Sequence, residues 1–237
     1  GSATTPTSSV PACSGATDVS GSGTLQLTDN GPSQIGFVIS KTAIIAPATS
    51  LTISFDYFAY SGTHADGLSV FILDANQPPP TSAGSPGGSL GYAGYAGTTP
   101  GIANGYLGVG LDSFGNFTVA NPPGATGGAG FLGDTIAVRG AASTGYVYLG
   151  GIGATLPFSL DDSSSKTRPT ALHVQVVINT ASDTVSVAVG GVTYIAALSF
   201  NVTGQPAFPA RVYLGFAAST GLATDFHQVR NVVVSST

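Results

Sequence analysis

Thr184-Val185-Ser186-Val187-Ala188-Val189-Gly190-Gly191-Val192-Thr193-Tyr194-Ile195-Ala196-Ala197-Leu198 decides the fold class of this chain. Two alternating, β-branched runs flank a glycine pair, and both glycines accept positive φ, as a two-residue hairpin turn requires. Outward from this hairpin the same texture repeats, with short alternating or β-branched runs separated by Gly, Pro, Asn and Asp. Strands are expected at residues 24–28, 35–40, 51–60, 68–73, 106–112, 135–139, 146–149, 172–179, 184–189, 192–198, 212–217 and 229–235. No helix-period pattern competes with them. A dozen or so strands at this spacing describe an all-β antiparallel sandwich.

The chain has 237 residues. Residues 1–15 are small and polar with two prolines and read as a flexible tail, and Gly1-Ser2 resembles a cloning scar. No linker-like interruption follows, so residues 16–237 are expected to form a single sandwich domain, long enough to bury a full core. Hydrophobic residues make up 42% and charged residues 7% of the chain, which raises the question of a membrane protein. The apolar runs, such as that from Val174 to Ile178, are far shorter than the roughly 20 residues a spanning helix needs, so no membrane insertion is expected. The net charge is −5 and the six Lys and Arg are scattered, leaving no basic stripe for nucleic acid. Cys13 is the single cysteine, which excludes an internal disulfide or a cysteine-rich zinc site.

All eleven acidic residues are Asp. Glycoside hydrolysis needs two carboxylates across the scissile bond, and the chain offers no glutamate and no close Asp pair beyond Asp161-Asp162. No G-x-S-x-G segment supports a serine hydrolase. The reading is therefore not an enzyme. Asp112-Ser113-Phe114-Gly115-Asn116 carries the chemistry instead. Asp112, Phe114 and Asn116 share parity, so an extended segment presents a carboxylate, a backbone carbonyl and an amide oxygen on one side, the hard ligands that Ca2+ takes. Two long stretches rich in glycine and proline, residues 77–105 and 117–133, flank this motif, and loops of such length in a compact domain are usually functional or disordered.

Four ordered segments carry a resemblance: Ala65-Asp66-Gly67-Leu68-Ser69-Val70-Phe71; Gly87-Gly88-Ser89-Leu90-Gly91; Gly108-Val109-Gly110-Leu111-Asp112-Ser113-Phe114-Gly115-Asn116; and Leu214-Gly215-Phe216-Ala217-Ala218-Ser219-Thr220-Gly221. In this order the chain resembles the legume-type (L-type) lectin family. It looks most like the bacterial branch, on the strength of Ile136-Ala137-Val138-Arg139-Gly140 after the metal loop. The resemblance spans residues 24–234. It implies a concanavalin-like β-sandwich (jelly roll) in which Asp66 accepts from two sugar hydroxyls, the Gly88 amide donates one hydrogen bond, and Asn116 serves both sugar and metal. It also implies that Phe114 gives its carbonyl to the metal and its ring to the sugar, and that Gly221, Leu222 and Ala223 form the variable wall. A cis peptide between Ala65 and Asp66 is implied as well.

The chain departs from the family pattern at the second, transition-type metal. Gly110 stands where the family has its glutamate, and no histidine lies near Asp134 and Thr135, so that site should be absent or differently built. The fourth calcium ligand is taken as Asp134, since a carboxylate balances calcium better than an amide, with Asn121 the nearer substitute. His64, His173 and His227 are far apart and read as structural or surface residues, His64 being notable for adjoining Asp66. Asp161-Asp162 reads as a solvated turn. Asn116-Phe117-Thr118 and Asn201-Val202-Thr203 match the glycosylation triplet, the first incompatible with a metal role for Asn116.

Together these readings describe a calcium-dependent carbohydrate-binding domain of a secreted or cell-surface protein, with glycans or surface polysaccharide as partners and an adhesive role. The alternative is a structural or adhesive sandwich without sugar affinity. Neither the sugar nor the oligomeric state is legible.

Overall fold

A computed structural model describes residues 23–95 and 99–237. The expected tail, residues 1–15 with Cys13, lies outside the described residues. Thirteen strands run in chain order: β1 (Leu25–Thr28), β2 (Ile35–Ile39), β3 (Ile44–Ile45), β4 (Ser50–Tyr60), β5 (Gly67–Asp74), β6 (Gly105–Asp112), β7 (Thr135–Arg139), β8 (Tyr148–Gly151), β9 (Leu172–Asn179), β10 (Thr184–Val189), β11 (Val192–Ser199), β12 (Arg211–Ser219) and β13 (Phe226–Ser236). One sheet has the order β1-β13-β4-β9-β10-β11, the other β2-β12-β5-β6-β7-β8 with β3 also on β12. Every strand pair is antiparallel. The all-β, concanavalin-like sandwich expected from the sequence is what the chain forms.

Period-two alternation builds the core. In β10 only Val185, Val187 and Val189 face inward, and in β4 Leu51, Ile53, Phe55 and Tyr57 do. They meet Leu68, Val70 and Ile72 of β5 and Leu107, Val109 and Leu111 of β6. Each such side chain, fully withdrawn from water, contributes about 1.5–3 kcal/mol.

β5 and β6 are buried on both faces, because the second sheet carries a further apolar layer on its outer side. Phe71 and Leu73 of β5 pack there against Leu90, Tyr92 and Ile102 from residues 77–105 and Phe117 and Ala125 from residues 117–133. The two long loops are thus pinned over β6, which fixes the residues at their tips.

Two strands start away from expectation: β13 at Phe226 rather than 229, and β8 further on. β8 begins at Tyr148 rather than 146, because Tyr146 adopts φ +52° and sends its hydroxyl to the Ile102 carbonyl at 2.8 Å. The two-residue β3 was not expected, being too short to show a period.

Candidate functional site

Three loops meet where β5 begins and β6 and β12 end. The first precedes β5. Its Ala65–Asp66 peptide is cis, the Asp66 N–H donates to the Ser219 carbonyl at 3.0 Å, and the Asp66 carbonyl accepts Ser113 N–H at 3.0 Å and Phe114 N–H at 3.2 Å. The Asp66 side chain is buried, and its Oδ2 has no hydrogen-bond partner among the described residues. Burial pushes its carboxyl up to about 6, against the opposing pull of the Gly221 backbone beside it. An added Cβ on Gly221 would stand 3.2 Å from that Oδ2, so this wall is close and small. Leu222 next to it is 97% exposed, and the Gly221 N–H donates to the Ala223 carbonyl to close the turn.

The second loop brings up Gly88 within a single 3₁₀ turn, Gly87–Ser89. A Cβ at Gly88 would fall 2.0 Å from the Asn116 Cβ, so only glycine permits this approach. Ser219 fixes the turn from β12 by donating to the Gly87 carbonyl at 2.7 Å.

The third loop leaves β6 at Asp112. Its fully buried carboxylate accepts Gly115 N–H at 2.8 Å through Oδ1 and Phe117 N–H at 2.7 Å through Oδ2, which winds Ser113 to Asn116 around it. Burial pushes this carboxyl up to about 8; the two N–H groups and Arg139 oppose, and the Asp66 charge adds to the rise. No lysine or arginine among the described residues forms an ion pair with it. The exposed Asn116 amide makes no hydrogen bond among the described residues, and the Phe114 carbonyl accepts none from the backbone. A buried carboxyl with no contacting cation, beside an unengaged carbonyl and amide, is a hard-oxygen donor set that fits a divalent cation such as calcium.

Asp134 lies beside this loop, its N–H donating to the Ser113 carbonyl at 2.9 Å. Its carboxylate turns the other way, accepting Leu160 N–H at 2.8 Å and the Ser159 hydroxyl at 3.1 Å. Asn121 stands on a cavity of about 230 Å³ that opens beside Asn116 and is also lined by Pro86, Gly88, Tyr95 and Arg139. Gly110 explains the missing glutamate: a Cβ there would lie 2.4 Å from the Phe117 ring, which occupies that space.

Two residues escaped sequence reading. Arg139 is 1% exposed and donates to the carbonyls of Phe117, Val119 and Tyr146 at 2.8, 2.9 and 2.9 Å, with its guanidinium over the Phe117 ring. Burial lowers its pKa to about 10, so it stays charged at neutral pH and holds the loop after Asn116. A lone arginine within Ile136-Ala137-Val138-Arg139 was the available signal. Phe131 is 60% exposed and meets the half-buried Phe114 edge to face at 5.5 Å, a contact that no local motif announces. The Asp161-Asp162 reading needs correction for its first member: the Asp161 side chain is only 1% exposed and bonds His64. His173 is an exposed partner of Asp56, and His227 is fully buried against the Thr28 hydroxyl at 2.7 Å.

No protein-family model and no curated protein sequence matches the chain. Solved structures do. Peanut lectin with a nine-residue peptide aligns at TM-score 0.56 with 22% identity over 91% of this chain and 88% of that one. Lectin II from Ulex europaeus aligns at 0.59 with 18% identity over 92% and 88%. The exoplasmic/lumenal domain of VIP36 in its Ca2+/Man3GlcNAc-bound form aligns at 0.51 with 13% identity over 90% and 78%. At these identities the similarity establishes the sandwich fold.

Proposed function

We propose that this domain binds carbohydrate, in a calcium-dependent manner, at the junction of the three loops. One observation supports the reading above others. The Asp66 carboxylate with its unpartnered Oδ2, the Gly88 backbone, the unengaged Asn116 amide and the Phe114 ring converge at one end of the sheet. Acceptors, donors and an aromatic face in one shallow place suit a sugar, whose hydroxyls and C–H faces need both. VIP36, a protein of similar fold, carries Ca2+ and a mannose-containing glycan in the structure named above.

Asp112, the Phe114 carbonyl and Asn116 would hold the ion, with Asp134 as the neighbouring carboxylate. Bound calcium supplies the positive charge that the buried Asp112 lacks and fixes the orientation of Asn116. Asp66 and Gly88 take sugar hydroxyls, Phe114 stacks on the ring, and Gly221, Leu222 and Ala223 shape the selecting wall. A site this shallow gives millimolar to micromolar affinity, about −4 to −8 kcal/mol, so display in several copies on a secreted or cell-surface protein would raise avidity. A glycan array run in calcium and in chelator tests the reading. Calcium-dependent hits are expected, and an array blank in calcium would leave a structural or adhesive sandwich as the function.

A further inference from the structure

We propose that Asp161 and Asp225 share a single proton and clamp the chain just ahead of Asp66, so that losing this proton above neutral pH frees that loop and weakens the sugar site. Its effect on sugar rests on the function proposed above, whereas the clamp itself stands on geometry. Three consecutive residues lead into Asp66, and each is held by a different partner. The Thr63 N–H donates to the Thr224 carbonyl at 2.6 Å, and its hydroxyl accepts the Thr224 N–H at 3.0 Å. His64 Nδ1 meets Asp161 Oδ1 at 2.5 Å. The Ala65 N–H donates to Asp225 Oδ2 at 3.0 Å. Asp225 ends the turn between β12 and β13, while Asp161 comes from the loop between β8 and β9. Residues 64 and 65 therefore keep their course only while these two carboxyl groups stay together.

Both carboxyls reach one hydroxyl. Ser163 Oγ donates to Asp161 Oδ2 and stands 3.2 and 3.4 Å from the two Asp225 carboxyl oxygens. A hydroxyl has one proton to give, so it cannot satisfy two anions. The Asp161 side chain is 1% exposed and Asp225 is fully buried. Among the described residues no lysine or arginine forms an ion pair with either. Two carboxyls this close in a dry place cannot both ionise, so one keeps its proton and the other accepts it.

The proton sits on Asp225. Burial and then the Asp161 charge push its carboxyl up to about 8, whereas hydrogen bonds from Ser163, Ser159 and Asp225 outweigh burial at Asp161 and hold that carboxyl below its ordinary value. The other titratable groups facing the pair are Tyr57 of β4, His227 of β13, and His64 with Asp134 behind it. Burial first raises Tyr57 well above the ordinary tyrosine value and holds His227 down at about 3, so both are neutral around pH 8. The sign follows: the folded chain holds this proton up to about pH 8, while an unfolded Asp releases it near 3.8. The stability the pair contributes is therefore present in acid and lost as pH rises to about 8, beyond which the two carboxylates repel.

The amide NMR resonance of Ala65, followed from about pH 6 to about pH 10 in calcium-containing buffer, tests the clamp without any sugar. In wild type it is expected to titrate near pH 8. Asp225→Asn should abolish the titration, because the side-chain amide still accepts the Ala65 N–H and offers Asp161 a donor that cannot ionise. Asp161→Asn is the mirror variant with the same expectation, and it decides the matter if thermal melting shows Asp225→Asn unfolded. A wild type without an Ala65 titration overturns the clamp. A titration that persists in the folded variant also overturns it, since another group then carries it. Affinity for the best array glycan should fall about tenfold in wild type from about pH 7 to about pH 9, because one unit above the midpoint leaves about a tenth of the chains clamped. Asp225→Asn should show no such fall. Wild-type affinity that ignores pH beside an intact Ala65 titration overturns the link to the sugar site, whereas a blank array with that titration intact sinks the sugar reading and leaves the clamp standing.

Discussion

The Asp66 carbonyl accepts the Ser113 N–H at 3.0 Å, which ties the loop that carries the sugar-facing carboxylate to the loop that carries Asp112. The two are 46 or more residues apart in sequence yet share one backbone joint, so neither shifts without the other.

Asp66→Asn leaves that joint intact and removes only the charge and one acceptor. A hydrogen bond to a charged group is worth about 1.5–3 kcal/mol, so glycan affinity should fall by at least tenfold. Thermal stability should hold, because the lost carboxylate is buried with an unpartnered oxygen. Unchanged binding of Asp66→Asn to the best array hit would remove Asp66 from the site.

Calcium should raise the melting temperature, and chelator should reverse the gain. At a hundredfold excess over Kd a ligand of the folded state stabilises by about 2.7 kcal/mol, which in a domain of this size is roughly 5–10 °C. Asp112→Asn should melt at one temperature with and without calcium. Scanning calorimetry of both proteins decides it, and an equal calcium gain in the variant would displace Asp112 from the ion.

Gly110→Ala tests whether the Phe117 ring fills the position of a glutamate side chain. With the new Cβ 2.4 Å from the ring, overpacking should cost about 1–3 kcal/mol. In a Phe117→Leu background the same change should cost clearly less, a coupling that denaturant titration of the four proteins reads directly. Equal costs in both backgrounds would refute the contact.

The limits of sequence reading follow from where the signals lie. The Gly190-Gly191 hairpin was legible because its turn chemistry is local, and both glycines do take positive φ, +58° and +81°. β8 was placed early because aromatic and β-branched content favoured Tyr146 and Val147, while its actual end, Gly150 and Gly151, has no strand propensity. The four loop motifs were local too. The pairing of His64 with Asp161 spans 97 residues, and no property of Asp161-Asp162 announces that its first carboxylate is buried. Arg139 was seen as part of a strand, but its carbonyl acceptors come from a glycine-rich loop whose path no local pattern determines.

Arg139→Leu should loosen that loop. Three short hydrogen bonds to buried carbonyls lose their donor, and unsatisfied carbonyls cost about 1–3 kcal/mol each, so a loss of at least 3 kcal/mol is expected. Arg139→Lys should fail to restore it, since a single ammonium cannot reach acceptors arranged around a planar fork. Hydrogen exchange should show faster amides between Phe117 and Gly130 in both variants, and unaltered exchange there would deny Arg139 its organising role.

His227 gives the fold an acid-sensitive component. Burial holds its pKa down at about 3, although the nearby Asp161 charge pulls upward. In the unfolded chain the group titrates near 6.5, so between these values the unfolded state binds the extra proton and stability rises with pH. The contribution is complete above 6.5 and lost as pH falls toward 3, up to roughly 4–5 kcal/mol at the rate of 1.36 kcal/mol per unit. The buried carboxyls of Asp66, Asp112 and Asp225, raised to about 6, 8 and 8, act with the opposite sign, because the folded state takes their protons first. The raw pH profile is therefore a mixture, and a difference isolates the histidine. His227→Asn keeps a group able to bond the Thr28 hydroxyl but cannot titrate. Its stability deficit relative to wild type should be constant above pH 7 and shrink steadily below pH 6.5 in denaturant titrations. A deficit that stays constant down to pH 4 would show that His227 is not held neutral.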